Sequence, residues 1–368
     1  MCALSKLVCG CSPVVKTFEI LGGESSEIPT GLLFLRCIPA WMIQDRMIFP
    51  AKVSIPQHIL DRLGPKHAAR RLELEEQLKT RQIGHGQGIF SVDRYLSVNK
   101  IVRLGLGLSG LSKRGEANIF RMDLVENEIV LPDLPEAFEG FRILQLSDLH
   151  CDIHPELMEV IRTSMEGVAH DAVVLTGDYH NEIIMPIDDS LEAMRQFIPH
   201  LHPLRFAILG NHDYLAKVAL FEECGLPVLL NESLPIERTG INGKERIWIC
   251  GVDDAHFFRT HDLVAARAGI PSGKITILLS HTPETHREAA VLGYHVHLSG
   301  HTHGGQICLP GGIAVVNNAP GCRREHIAGP WREGQMIGYT SRGTGAAGVP
   351  ARFNCPPEMT LHTLTRGI

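Results

Sequence analysis

The chain has 368 residues and nowhere in them a run of about 20 mostly apolar residues, the length a bilayer-spanning helix needs. The nearest approach is residues 31–49, GLLFLRCIPAWMIQDRMIF, which Arg36, Pro39, Asp45 and Arg46 interrupt. This segment reads either as a buried element or as an interfacial stretch that touches a membrane or an acyl chain. The VCGC near the start has no apolar run before it, so no signal peptide is expected. There is also no excess of positive charge. The net charge is −6 with histidine neutral, which argues against a surface that coats nucleic acid. The ten cysteines form no CxxC pair and are scattered over the whole length. A disulfide framework and a thiolate zinc finger are therefore not expected, and free thiols in a reducing compartment are. No internal repeat or low-complexity tract occurs.

What is present divides near residue 117. Residues 1–117 read as a helical and irregular region of undefined role. Within it, 56–82 carries apolar residues at helical spacing and predicts a helix broken at Gly64–Pro65. GLGLSGLSKRG, 105–115, reads as an apolar-basic approach or a linker. Residues 118–368 read as one α/β domain. Short apolar runs recur at FRILQLSDLH (141–150), DAVVLTGDYH (171–180), LRFAILGNHD (204–213), RIWICGVDD (246–254), ITILLSHTP (275–283) and HVHLSGHTHGGQ (295–306). They are too short for most helices and suit strands buried on both faces. Helical patterns such as HPELMEVIRTSMEGV lie between them, and ERTGINGKERIWICG predicts a hairpin turning at Asn242–Gly243. The expected fold is a layered α/β/β/α sandwich with mixed sheets.

In five of the six runs, residues able to bind a metal stand at or just past the end of the strand. They are Asp148 and His150, then Asp178, then Asn211 and His212, then His281, then His301 and His303. Ligands of open α/β sheets bind outside the carboxyl ends of the strands, so five loops can converge on one crevice. Each fragment alone has a bland alternative. Aspartate after a strand is a common turn residue, Gly-Asp is a common turn dipeptide, and a single histidine is often a cap or a satisfied core group. Gly-Asn-His-Asp is more specific, because it sets an amide oxygen beside an oriented acid/base pair, His212 and Asp213. Gly-His-Thr-His-Gly-Gly is more specific still. Two imidazoles two residues apart cannot share a helix face, but a glycine loop lets them point at two neighbouring ions. Two aspartates, one asparagine and four histidines form an O/N donor set that suits Mn²⁺, Fe²⁺ or Zn²⁺.

The ordered motifs DxH (148–150), GD (177–178), GNHD (210–213), H (281) and GHTH (300–303) resemble those of the calcineurin-like metallophosphoesterase superfamily. The resemblance covers roughly 118–368. It implies two divalent ions, manganese foremost. One would take Asp148, His150, Asp178 and His303, and the other Asp178, Asn211, His281 and His301. It further implies that His212 acts beside the scissile bond without binding metal, and that Asp213 orients it. The tail YTSRGTGAAGVPARFNCPPEMTLHTL, 339–364, is similar to that of bacterial membrane-associated phosphodiesterases. Some of those hydrolyse the pyrophosphate of UDP-2,3-diacylglucosamine in lipid A synthesis. On that reading the substrate is a small or lipid-linked phosphoester, the protein is cytoplasmic with peripheral contact at the inner membrane, and no stable nucleic-acid complex is expected. GTGAAG in the tail matches GxGxxG, but Pro350, Pro356 and Pro357 deny it a following helix, so no dinucleotide site is expected. The alternatives are a cyclic-nucleotide or nucleic-acid phosphodiesterase and a non-catalytic scaffold of the same fold. The complete ligand set favours an enzyme. A lipid substrate would call for an apolar groove, for which 31–49 and AHFF (255–258) are candidates; Phe257 and Phe258 also read simply as core.

Overall fold

Residues 55–79, 92–181, 187–241, 243–316 and 318–367 are described by a computed structural model of the chain. The segment 31–49 lies outside the described residues. The alternation of short apolar runs folds as expected, into two β-sheets packed face to face. The first sheet has the order β1-β13-β2-β3-β4, with β1 Asp123–Val130, β2 Arg142–Leu146, β3 Ala172–Leu175, β4 Arg205–Ala207 and β13 Glu358–Thr365. The second has the order β11-β12-β8-β7-β6-β5, with β5 Glu232–Gly240, β6 Gly243–Gly251, β7 Thr276–Leu279, β8 Val296–Ser299, β11 Gly329–Glu333 and β12 Met336–Thr340. Both sheets are mixed. β2, β3 and β4 run parallel, and β13 lies antiparallel to β2. β6, β7, β8 and β12 run parallel, and β5 and β11 are antiparallel edges. A two-stranded ribbon, β9 Cys308–Leu309 with β10 Ile313–Ala314, follows the glycine-rich loop. The β5–β6 hairpin pairs Gly240 with Gly243, so its tip lies one residue earlier than expected, with Asn242 outside the described residues.

The strands alternate because both faces of each sheet are covered. One apolar layer fills the space between the sheets and includes Ile143, Val174, Phe206, Ile249, Ile277 and Leu298. A second lies between the first sheet and the helices α4 Pro155–Met165, α5 Asp188–Phe197 and α6 Ala216–Glu223. A third lies between the second sheet and α7 Leu263–Arg267 and α8 His286–Val291. Leu144 and Leu146 of β2 thus face the helices, while Ile143 faces the other sheet, the two-residue period of a strand buried on both sides.

The helices preceding the sandwich are part of its packing. α1 spans Gln57–Lys79 and is interrupted at Gly64, whose φ of 75° leaves the helical region immediately before Pro65, as the sequence predicts. Ile59, Leu63 and Ala68 join the apolar layer that α4–α6 cover. Residues 105–115, read as an approach or linker, fall instead on two helices, α2 Val92–Leu108 and α3 Ser112–Ile119. No described helix is long and apolar enough to cross a membrane. No described cysteine is in a disulfide.

Candidate metal centre

The carboxyl ends of β2, β3, β4, β7 and β8 meet at one end of the sandwich, and each delivers its expected side chains there. Asp148, His150, Asp178, His281, His301 and His303 are all buried. His150 Nε2 lies 3.1 Å from His303 Nε2, and His303 Nε2 lies 3.5 Å from Asp148 Oδ1. On the other side, His281 Nε2 is 3.2 Å from Asp178 Oδ2 and 3.1 Å from Asn211 Oδ1. Ligand atoms of Asp148, His150 and His303 lie within 4.8 Å of one another, and so do those of Asp178, His281 and His301. Asp178 stands between the two groups, with Oδ2 also 3.9 Å from His150 Nε2 and from His212 Nε2.

The backbone is bent to achieve this. Asp148, His150, Asp178, His301 and His303 all have positive φ, between 42° and 70°. Such a conformation is uncommon outside glycine and stores strain that the surrounding structure must hold. The reverse turn at Gly177, φ 92°, has room for no side chain, since a Cβ there would lie 2.6 Å from the Gly210 amide nitrogen and 2.9 Å from His281 Nδ1. The tail motif GTGAAG finds its use here. The Thr344 and Gly345 amides donate to the carbonyls of Ser147 and Asp148, and a Cβ on Gly345 would meet Leu149 O at 2.2 Å. These glycines serve close packing under the Asp148 loop, consistent with the absence of a dinucleotide fingerprint.

Electrostatics and hydrogen bonding show whether the donor set fits a cation. His150 Nδ1 faces the His180 carbonyl at 2.9 Å and His281 Nδ1 the Thr176 carbonyl at 2.7 Å. A carbonyl only accepts, so both rings carry a proton on Nδ1 and turn Nε2 inward as the atom left for a metal. His301 donates through Nε2 to Asn318 O, which leaves Nδ1 as its open atom. Burial holds His150 down at about 4, and burial together with neighbouring positive groups keeps His301 and His303 well below the usual imidazole range. Burial alone would raise Asp178, but the imidazoles of His281, His212 and His150 outweigh it and hold it well below the carboxylate range. Burial pushes Asp148 up to about 6. At His281 burial is overcome by Asp178, and the ring rises to about 10. His281 Nε2, a carboxylate oxygen and an amide oxygen converge, so without a cation the ring must take a second proton to meet them. A divalent cation relieves that arrangement, and the O/N donors fit it.

Asp213 behaves differently from the expectation that it orients His212. Its carboxylate accepts the amides of Asp178, Tyr179 and Gly210 and pairs with Lys217 Nζ at 2.6 Å. His212 is held instead through Nδ1, which donates to Asn181 O at 2.6 Å. Aspartate next to histidine in sequence therefore braces the loop while a backbone carbonyl aims the ring. Four participants escape the sequence motifs. Lys217 and Arg352 are buried cations; the guanidinium of Arg352 is held by the carbonyls of Arg342, Gly343, Gly345 and Cys355 and reaches 3.3 Å from His303 Nδ1. Asn181 supplies a carbonyl and His256 packs its ring 4.2 Å from that of His301. No spacing rule marks these residues; only the neighbouring Asp213 hinted at Lys217, at i+4.

Residues 141–305 match the model of the calcineurin-like phosphoesterase family. The metallophosphoesterase YkoQ of Bacillus subtilis is 30% identical over 244 residues, covering 62% of this chain and 85% of the relative. The chain belongs to the calcineurin-like phosphoesterases. A second Bacillus subtilis metallophosphoesterase, YkuE, is 28% identical over 256 residues, 66% of this chain and 85% of its own. A Danio rerio transmembrane protein with a metallophosphoesterase domain is 28% identical over 254 residues, of which the chain spans 56%. This calcineurin-like phosphoesterase is thus a metal-dependent phosphoester hydrolase, with a fold of mixed α/β sheets and a dinuclear divalent metal site implied by its family.

Proposed function

We propose that the two convergent groups hold two divalent ions, Mn²⁺ foremost, and that the substrate is a lipid-linked phosphodiester or pyrophosphate such as UDP-2,3-diacylglucosamine. One ion would be held by Asp148, His150, Asp178 and His303, the other by Asp178, Asn211, His281 and His301. The single observation that supports this reading most is Asp178, whose Oδ2 faces both groups. Such a pair, when bound, polarises phosphoryl oxygens and supplies a nucleophile at neutral pH. His212, aimed by Asn181 O, is placed to give a proton to the leaving oxygen. Arg352, buried behind His303, adds positive charge that discourages protonation of that ligand.

A cavity of about 410 Å³ is lined by Arg103, His154, His180, Asn181, Asp189 and Pro350 among others, and Asn181 is the residue whose carbonyl aims His212. Exposed apolar side chains on neighbouring elements support a lipid-linked substrate. On α2, Ile101, Leu104 and Leu108 share one face and are 69%, 64% and 82% exposed. On the ribbon after the glycine loop, Leu309, Ile313, Val315 and Val316 are also exposed. α2 touches the loop around Gly348 through Arg103, and the glycine loop that precedes the ribbon touches it through Gln306, which donates to the carbonyls of Ala347 and Val349. Phe258, by contrast, is core: it packs with Leu78, Ile187 and Tyr214 beneath the Arg71 guanidinium.

The test is a substrate panel with purified protein and added Mn²⁺, comprising UDP-2,3-diacylglucosamine, cyclic nucleotides, single-stranded DNA and bis-p-nitrophenyl phosphate. Metal-dependent cleavage should be fastest on the lipid-linked pyrophosphate. Faster turnover of cyclic nucleotides or DNA overturns the substrate assignment, and no hydrolysis of any of them with metal bound favours the scaffold.

A further inference from the structure

A second group of metal-type donors lies away from the catalytic crevice, on the outer side of the second sheet. His286 opens α8, His326 closes a short 3₁₀ turn at Arg324–His326, and Glu333 ends β11. Their ligand atoms all lie within 4.8 Å of one another. His286 Nε2 is 3.7 Å and His326 Nε2 is 3.9 Å from Glu333 Oε2. The two imidazoles are tilted 35° with centroids 4.3 Å apart, and the Trp331 indole packs edge-on against both. His286 is 3% exposed and His326 is fully buried.

Independent of the clustering, the three inward atoms are orphans. His286 Nε2, His326 Nε2 and Glu333 Oε2 are buried without a hydrogen-bond partner among the described residues. Buried polar atoms left unpaired are costly, and three aimed at one point need a common explanation. The His286 ring already donates through Nδ1 to Pro283 O at 3.0 Å, so its Nε2 presents a lone pair. His326 needs one adjustment. Its Nδ1 accepts the Arg323 amide at 3.1 Å, and binding through Nε2 moves the ring proton to Nδ1 and turns that amide away. The Arg323 guanidinium, 3.9 Å from Glu333 Oε2, is the competing cation, and its side chain is 64% exposed and able to swing out. Cys322 Sγ sits 3.9 Å from His286 Nδ1, on the far side of the ring from Nε2, so the thiol is not counted as a ligand.

We propose that His286, His326 and Glu333 bind a third divalent ion, Zn²⁺ by donor type, at a mononuclear site of three protein ligands. Two imidazole nitrogens and one carboxylate oxygen, with the remaining position left to water, match zinc chemistry. Tetrahedral zinc with bonds of about 2.0–2.2 Å sets its donors about 3.3–3.6 Å apart, and the two imidazole-to-Glu333 distances of 3.7 and 3.9 Å lie within a few tenths of an ångström of that. The ion staples α8 and β11 to the loop 318–328. That loop ends on Ile327, whose carbonyl takes the Thr302 hydroxyl, and begins at Asn318, whose carbonyl fixes the His301 tautomer. Zinc thus steadies the outer wall of the catalytic centre without entering it.

The experiment uses the full chain, stripped with chelator and reloaded with Zn²⁺ alone. Metal analysis and titration calorimetry compare the wild type with Glu333→Gln and His326→Gln. The wild type should hold one zinc equivalent more than either variant, with affinity for that equivalent reduced on the order of 10–100-fold or more in the variants. Zinc should raise the melting temperature of the wild type more than that of the variants, since a ligand of the native state alone stabilises it. Equal zinc content in the wild type and Glu333→Gln overturns the proposal. The Glu333 side chain is 24% exposed, so Glu333→Gln decides the matter if His326→Gln does not fold. Asp178→Asn leaves this site intact and should retain the extra equivalent, which separates a failure here from a failure of the catalytic-centre reading.

Discussion

At the scale of single residues, the catalytic crevice separates holding from reacting. Asp178 faces both candidate ion positions, whereas His212 donates its amide to Asp178 Oδ1 and sets its Nε2 3.9 Å from Asp178 Oδ2. Asp178→Asn should therefore lose metal and hydrolysis together, read by metal analysis alongside turnover of bis-p-nitrophenyl phosphate. His212→Ala should keep its ions and lose on the order of 10²–10⁴ in rate, the usual contribution of a positioned proton donor. Full turnover by His212→Ala would end that assignment. Asp213 was legible as important but not for the right reason. Its place beside His212 in the chain suggested a dyad, and in space it caps three amides and Lys217, whose charge outweighs burial and holds the carboxyl well below its usual range.

At the scale of elements, α1 reaches the reactive loop. Arg71 donates to the Asp213 carbonyl, and Glu75 accepts the Leu215 amide at 2.8 Å. Arg71 is fully buried between Glu75, 3.1 Å away, and Asp253, 3.5 Å away. Removing one partner of a buried ionic group leaves the others uncompensated, a loss of about 3–5 kcal/mol. Arg71→Met should lower the unfolding free energy measured in urea by that much and also slow hydrolysis, since the loop carrying His212 loses its brace. Unchanged turnover in a destabilised variant would show that the helix serves stability alone. Gly345→Ala tests the tail in the same way. Its methyl group meets the Leu149 carbonyl, and overpacking of this kind costs about 1–3 kcal/mol, measurable as a lower melting temperature. The sequence announced a helix over 56–82 broken at Gly64–Pro65 but not its target, because Arg71 and Glu75 sit in a charge-rich stretch that reads as a solvated face.

At the scale of the molecule, buried neutral histidines tie stability to pH. Burial holds both His297 and His362 down at about 3, and His362 is satisfied as a neutral ring between Asn127 Nδ2 and Gln145 Oε1. Between about pH 6.5 and 3 the unfolded chain binds protons at these positions that the native protein refuses. Stability is therefore full above about pH 6.5 and falls as pH drops, by up to about 1.4 kcal/mol per site for each pH unit. Urea unfolding at pH 7 and pH 5 should show this slope, and His362→Gln should flatten it; an unchanged slope would mean that His362 is protonated in the folded protein.

The sequence by itself determined the central strands β2, β3, β4, β6, β7 and β8, the order of the five motifs and the donor types, because short apolar runs and loop chemistry are local properties. It also placed those donors past the strand ends, where a parallel sheet must open a crevice. Tertiary structure alone decided which carbonyl fixes which imidazole tautomer, which buried cation stands behind His303, and that His286, His326 and Glu333 meet at all. Those relations join residues many positions apart in the chain through packing of one layer on another, and no local pattern records which side chains the packing will bring face to face.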